Sequence, residues 1–346
     1  MQQGGSEKMQ SVPADETSDL AIRAAWLSFV GGRTQHEIAA RLGVSSTKVH
    51  RLIAYAQQKG LVRFQVDGRP SDCLVLEESI LTHFGLTNCI VAPDLGTDDE
   101  ASAIETVATS AGPVLTNLLT GSDFAQVGVG MGRTLSATIA RMPQISRSDL
   151  KIVSICGSLT RRLSANPYDV VQRLAGCTGG DGYFLPVPYI AEGRAERDMF
   201  LAQKSVQELL ALARRSELFV VGIGSLATTG HLVAMNMISA VQQRELVAAG
   251  AVGDLMGRLV DIDGRLVPSE MSERVVGLNL EDARGRRVVA LAGGASKAAA
   301  VVGSLRSGIV TDLIVDEALA RSVVAMVGID DAQLPQVMQV EETCPA

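Results

Sequence analysis

Three glycine-rich segments, GVGMGRT (128–134), GIGS (222–225) and ALAGGASK (290–297), combine the residue types that hold anions and polyhydroxyl compounds. Glycine lets a chain turn tightly with its N–H groups exposed, and a helix starting there adds partial positive charge. Arg133 and Thr134 accompany the first segment and Lys297 the third, and each segment is expected to leave a strand and open a helix. One such loop is common as a simple tight turn. Three in one α/β region predict a phosphate or polyhydroxyl pocket at the C-terminal edge of a sheet. AVGDLMGRLVDIDGRLV (251–267) reads as a strand, a loop carrying Asp254, then a hairpin turned by DIDG. A carboxylate there can accept paired hydrogen bonds from sugar hydroxyls, or it can serve only the turn. Nucleotide binding fits less well: GVGMG lacks the third glycine of G-x-G-x-x-G, and no G-x-x-x-x-G-K-[ST] occurs.

Acid–base chemistry would draw on Asp254, His231 and Asp316. His231 stands in TTGHLV without a neighbouring carboxylate, and Asp316-Glu317 follows a strand at the start of a short helix, where capping is the simpler role. The missing acid/base pair argues against an enzyme. Metal binding is not expected either. His36 and His50 sit fourteen residues apart with no cysteine between them, and Asp261 and Asp263 have turn positions without further ligands. The five cysteines (Cys73, Cys89, Cys156, Cys177, Cys344) are scattered, form no C-x-x-C pair and suit a reducing cytoplasm. No cofactor is called for.

The elements that must carry these residues follow from pattern. Beyond Cys73, short β-branched runs alternate with helical stretches. The strands expected are 89–93, 125–130, 151–156, 183–188, 217–224, 286–294 and 311–316. Helices are expected at Glu100 to Leu119, Thr134 to Arg141, Tyr168 to Ala175, Arg194 to Arg215 and Ser296 to Ser307. This alternation predicts a mainly parallel sheet with right-handed crossovers. The 47% hydrophobic content with only 3% aromatics and 34 glycines agrees with an aliphatic α/β core and not with a β-sandwich.

The first 70 residues read differently. Residues 1–19 are polar, without periodicity, and are expected to be a disordered leader. From Leu20, Ile22, Trp26, Phe29 and Val30 fall at helical spacing until Gly31-Gly32. A second helix begins at Thr34, where Thr34 and Glu37 form a capping box, and ends at Leu42-Gly43. Ser45 or Ser46 can cap a third, with Val49, Leu52, Ile53 and Ala56 as its inward stripe, and LVRFQV-DGRP then suggests a small strand and turn. Three helices and a wing predict a winged helix-turn-helix over 20–70, whose third helix would enter the major groove of DNA. Gln35, Ser45, Ser46, Thr47, Lys48, His50 and Arg51 are the expected contacts, pairing short hydroxyls with long cations. Charge agrees. Seven basic residues stand against the single acid Glu37 between Leu20 and Val66, so this stretch carries +6 of a total of -7 and the rest carries -13. No apolar run reaches the ~18 residues of a membrane span, so the chain is expected to be soluble and cytoplasmic.

TQHEIAARLGVSSTKVHRLI resembles the DNA-binding domain of the SorC family of bacterial sugar-responsive transcriptional regulators. The resemblance extends through GVGMGRT, NPYDVVQRLA (166–175), ELFVVGIGS, AVGDLMGRLVDIDG and ALAGGASKAAAVVGSLRSGIVTDLIVDEALA (290–320). It implies an effector domain over 71–346, similar in fold to sugar-phosphate isomerases and turned to sensing sugars, polyols or their phosphates. By motif match, Gly130, Gly132, Arg133 and Thr134 would line the phosphate or hydroxyl end of the pocket. Asp254 would contact the sugar chain, and Lys297 with the Gly293-Gly294 amides would hold an anionic group. It also implies a homo-oligomer, dimer or tetramer, on double-stranded operator DNA. A sugar-phosphate isomerase or deaminase bearing a DNA-binding appendage is the alternative. Two departures stand out: Arg133 occupies a place where members often have a smaller residue, and STKVHRLI differs from the more frequent recognition helix.

Overall fold

The computed structural model describes residues 16–62, 68–96, 99–158, 170–227, 230–234 and 237–329. The chain divides into two compact units, Met1–Asp67 and Gly68–Ala346.

In the first unit, α1 (Glu16–Ala25) runs into one π-helical turn, Trp26–Val30, followed by α2 (Gln35–Leu42) and α3 (Ser46–Gln58). The helix therefore starts inside the expected leader: Glu16 to Asp19 are helical, with acids at the end where the helix dipole favours them. The stripe of large residues is also not the buried one. Ala21, Ala24 and Ala25 pack against Ile38, Val49, Leu52 and Ala56, whereas Trp26 and Val30 are 63% and 68% exposed and Ile22 and Phe29 are exposed as well. Small side chains let α1 approach the other helices closely, and that contact decides which face turns inward. The capping box at Thr34 is formed: its amide donates to Glu37 Oε2 at 2.8 Å, and the Glu37 amide donates to its hydroxyl at 3.4 Å. Gly43 ends α2 at φ 65°. The strand expected in LVRFQV falls almost wholly on residues outside those described, and Leu61-Val62 form a bend.

The second unit opens with α4 (Ser71–Phe84), an element the β-branched pattern did not suggest. There follow β1 (Asn88–Ala92), α5 (Glu100–Gly121), β2 (Gln126–Val129), α6 (Arg133–Arg141), β3 (Lys151–Ser158), α7 (Val170–Thr178), β4 (Asp181–Pro188), α8 (Arg194–Ala202) and α9 (Lys204–Ala213). Then come β5 (Leu218–Ser225), α10 (His231–Ala234), α11 (Ala240–Ala248), β6 (Ala251–Leu255), β7 (Arg258–Asp261), α12 (Glu270–Arg274), β8 (Arg287–Ala292), α13 (Ala298–Arg306), β9 (Asp312–Asp316) and α14 (Glu317–Val327). Seven parallel strands lie in the order β1-β9-β8-β5-β2-β3-β4, and the antiparallel pair β6-β7 attaches to the end of β5.

Successive residues of β5 feed two cores. Leu218 and Val220 join the apolar faces of α5, α6 and α7, while Phe219, Val221 and Ile223 join those of α4, α9, α13 and α14. Burial on both faces is why the strands read as continuous apolar runs. Cys73, Cys89, Cys156 and Cys177 are all buried, and none of them forms a disulfide. Among the described residues no helix is long and apolar enough to cross a membrane.

Candidate functional site

The strand order reverses around β2 and β5. β2 leads outward to β3 and β4, after which the chain returns to place β5 on the other side of β2. Loops leaving neighbouring strands in opposite directions open a crevice at their C-terminal ends, the usual place for a ligand in such sheets. The cleft here measures about 620 Å³ up to its open mouth and is lined by Met131 to Leu135, Tyr189, Gly222 to Ser225, Leu232, Asp254, Leu291 and Lys297.

Three local arrangements build it. After β2, Gly132 takes φ 140°, a conformation open to glycine, and α6 begins at Arg133 without a side-chain cap. The first helical amide to find a partner is that of Ser136, on Gly132 O, so the preceding amides of α6 remain available to a ligand. On the opposite wall, β5 pairs with β8 as far as Gly222↔Leu291 and then with β6, which puts Asp254 directly opposite Gly224. A Cβ on Gly224 would collide with the Asp254 carboxylate, so the glycine creates the space that side chain occupies. The third piece is the turn Ala295–Lys297 after β8, which lays Lys297 into the cleft.

The electrostatics are unusual for a packed interior. Lys297 is only 8% exposed, and among the described residues its ammonium has neither a hydrogen bond nor an ion pair. Burial lowers its pKa, partly opposed by the Glu100 carboxylate. Burial pushes Asp254 up to about 6, against the Gly257 amide and the Lys297 ammonium, which pull it down. The Tyr189 phenol is raised by burial first and then by Asp254. Arg133 donates to Glu100 Oε1 at 2.6 Å and is thus already partnered. A buried cation and a half-buried carboxylate that lack full partners and share one cleft can bind a ligand offering both hydrogen-bond donors and acceptors, as a polyol does.

Of the residues singled out in the sequence, the fold brings together Gly132, Arg133, Thr134, Asp254 and Lys297. Gly130, Gly293 and Gly294 stand outside the lining. The Gly130 amide bonds to Val220 O, Gly293 packs against the backbone of Ala103, and the Gly294 amide donates to Asp316 Oδ1 at 2.7 Å, so that amide is not open to an effector. Asp316 also accepts from the Leu319 amide as the cap of α14, which occupies both of its oxygens. His231 opens α10, and its side chain lies outside the described residues. Two expectations are corrected. GIGS lies within β5 and does not open a helix. Asp254 belongs to β6, not to a loop: the hairpin turns at Met256-Gly257, both at positive φ, and the DIDG turn only closes a further bridge, Val260↔Leu266. Tyr189 and Leu232 carried no signal at all, since long-range packing alone brings them in.

In the first unit, Ser45 caps α3, its hydroxyl accepting from the Lys48 amide at 3.2 Å. Gln35, Ser46, Thr47, Lys48, His50 and Arg51 are exposed, with Val49 and Leu52 buried between them. Short hydroxyls and cations thus occupy the outer face of the helix that follows the turn.

A helix-turn-helix unit joined to an α/β unit with a polar cleft at its switch point defines a ligand-responsive transcriptional regulator. Residues 68–325 match the sugar-binding domain family (Sugar-bind), and residues 24–70 match the MarR family. The erythritol catabolism regulatory protein EryD of Brucella abortus is 38% identical over 311 residues, covering 90% of this chain and 98% of that protein. The transcriptional regulator LsrR of Enterobacter sp. is 28% identical, covering 90% and 94%. The full-length sorbitol operon regulator SorC of Klebsiella pneumoniae shares the fold with a TM-score of 0.69 at 22% identity, over 90% of this chain and 99% of that one. The chain belongs to the SorC family of sugar-binding transcriptional regulators.

Proposed function

We propose that the protein controls a carbohydrate or polyol catabolic operon, with operator binding governed by a sugar, polyol or sugar phosphate held in the cleft between β2 and β5. The observation that carries this is Lys297, a buried ammonium without a partner, in the same cleft as the raised Asp254 carboxylate. Asp254 accepts from the effector's hydroxyls, Lys297 and the open amides of α6 donate to its oxygens, and Thr134 lies within the same wall. Residues 20–70 form the DNA-binding domain and residues 71–346 the effector domain. Gln35, Ser45, Ser46, Thr47, Lys48, His50 and Arg51 meet bases and phosphates of double-stranded operator DNA. Paired half-sites require two DNA-binding heads, so the working form is a homo-oligomer, dimer or tetramer, in the cytoplasm.

The cleft senses and does not turn over its ligand. Asp316 is consumed as a cap, which leaves Asp254 without a second carboxylate for proton transfer among the described lining residues. An effector switches the protein only if it binds two conformations with different affinity. The test is the thermal stability of the purified protein against sugars, polyols and their phosphates, beginning with erythritol because of its EryD relative, with each hit scored for its effect on operator affinity. A ligand that stabilises and shifts DNA binding supports the reading by linkage. Stabilisation by none of them, or turnover of a sugar phosphate, overturns it.

A further inference from the structure

Arg133 faces the cleft, but its charge does not belong to the cleft alone. It is the first residue of α6, and Glu100 is the first residue of α5, so two helix starts hold their side chains against each other at 2.6 Å. Both side chains are about one third exposed, 31% and 29%; Arg133 lines the cleft, whereas Glu100 stands behind it. Beyond the pair lies a second hollow of about 790 Å³, to which Glu100 contributes together with Asp94, Asp99 and Asp316. That far side is acidic, and Asp99 and Asp316 are already committed as helix caps. Glu100 is also the foremost charge acting on Lys297.

We propose that Glu100 determines the effector class: by holding the Arg133 guanidinium it leaves Lys297 as the one uncommitted cation among the described lining residues, and so selects an uncharged polyhydroxyl compound over its phosphate ester. The proposal rests on the cleft being the effector site. Arg133 and Lys297 are balanced by Glu100 and Asp254, so a phosphate dianion entering the cleft meets no net positive charge and an ionisable carboxylate beside it. A neutral polyol meets a different situation. Its hydroxyls donate to Asp254 and accept from Lys297 and the open α6 amides, with no charge to compensate. Were Arg133 free, its planar fork could grip phosphate through two parallel bonds, the arrangement guanidinium favours most.

The experiment titrates the full-length protein with inorganic phosphate at constant ionic strength, by calorimetry and thermal shift, for wild type, Glu100→Gln, Glu100→Ala and the double variant Glu100→Gln/Arg133→Gln. Glu100→Gln keeps the side-chain shape, and Glu100→Ala gives a second route should the glutamine fold poorly. Both single variants should bind phosphate roughly 10-fold to 100-fold more tightly than wild type, the span of one charge-assisted hydrogen bond, and the double variant should lose that gain. Equal phosphate affinity in wild type and both single variants overturns the proposal, as does a gain that survives removal of Arg133. Adding Lys297→Met to Glu100→Gln separates the two readings. If the Glu100→Gln/Lys297→Met variant binds phosphate as tightly as Glu100→Gln, phosphate sits away from Lys297 and the cleft itself is misassigned.

Discussion

The carboxyl of Asp254 offers the sharpest test, because its titration and its position in the cleft make one combined prediction. Replacing Asp254 by Asn keeps the shape and the acceptor oxygen facing the Gly257 amide while removing the ionisation. Burial raises its pKa from the ordinary 3.8 to about 6, which corresponds to about 3 kcal/mol between the protonation states. The sign follows from proton binding: the folded protein keeps this proton to higher pH than the unfolded chain. Stability contributed by the neutral acid is fully present below pH ~4, is lost as pH rises towards 6, and is absent above that. Denaturant unfolding of wild type and Asp254→Asn from pH 4 to pH 8 should therefore show a difference that starts near its minimum. It should then grow in favour of Asn by about 3 kcal/mol through the window from pH ~4 to ~6, and stay level above it. Other titrating groups cancel in the difference. Effector binding should run the other way, strengthening as pH rises through 6, since hydroxyls donate best to the ionised carboxylate. A difference independent of pH, or one in which wild type gains on Asn as pH rises, would refute the reasoning and make Asp254 an ordinary ion-paired carboxylate.

Three further outcomes follow from single contacts. Lys297→Met should leave the protein as stable as wild type or more so by about 1 kcal/mol, because an unpaired buried ammonium is removed, while operator binding becomes indifferent to effector; melting and a DNA-release assay check both. Gly224→Ala drives a methyl group into the Asp254 carboxylate and should cost about 1–3 kcal/mol together with effector affinity, measured by unfolding and calorimetry. Arg51→Ala should weaken operator binding at low salt and reduce the slope of log affinity against log salt by about 0.9, with effector affinity unchanged; an unchanged slope removes Arg51 from the phosphate contacts.

Much of the architecture was legible because its signals are local. The Thr34–Glu37 capping box, the Ser45 cap and the inward stripe of α3 each depend on residues within four positions of one another, and all three form. The seven parallel strands declared themselves by β-branched runs between helical stretches. Where the reading differs from the structure, a contact distant in sequence decided. Trp26 and Val30 look like core residues by period, yet α1 turns its alanines inward because only they permit close approach to α3. SDCLVLEESILTHF becomes α4 because its apolar side chains pack against β1 and α14 across the chain. The hairpin turns at Met256-Gly257 and not at DIDG, because β6 must reach the end of β5.

What the sequence by itself determined is the seven parallel strands and most of the helices, the division into a basic helical segment and an acidic α/β body, and the glycine-rich strand ends with their cations. These rest on backbone propensity, capping and periodicity, which act over a few residues. Only the tertiary structure decided which of those glycines face the cleft. Gly132 and Gly224 open the cleft, while Gly294 gives its amide to Asp316, because strand order and register, not local composition, choose what each loop meets. The same holds for charge: Arg133 and Lys297 look equivalent along the chain, but folding hands one to Glu100 and leaves the other alone in the cleft. Electrostatics act through space, and the distances that govern them exist only once the sheet has closed its crossovers.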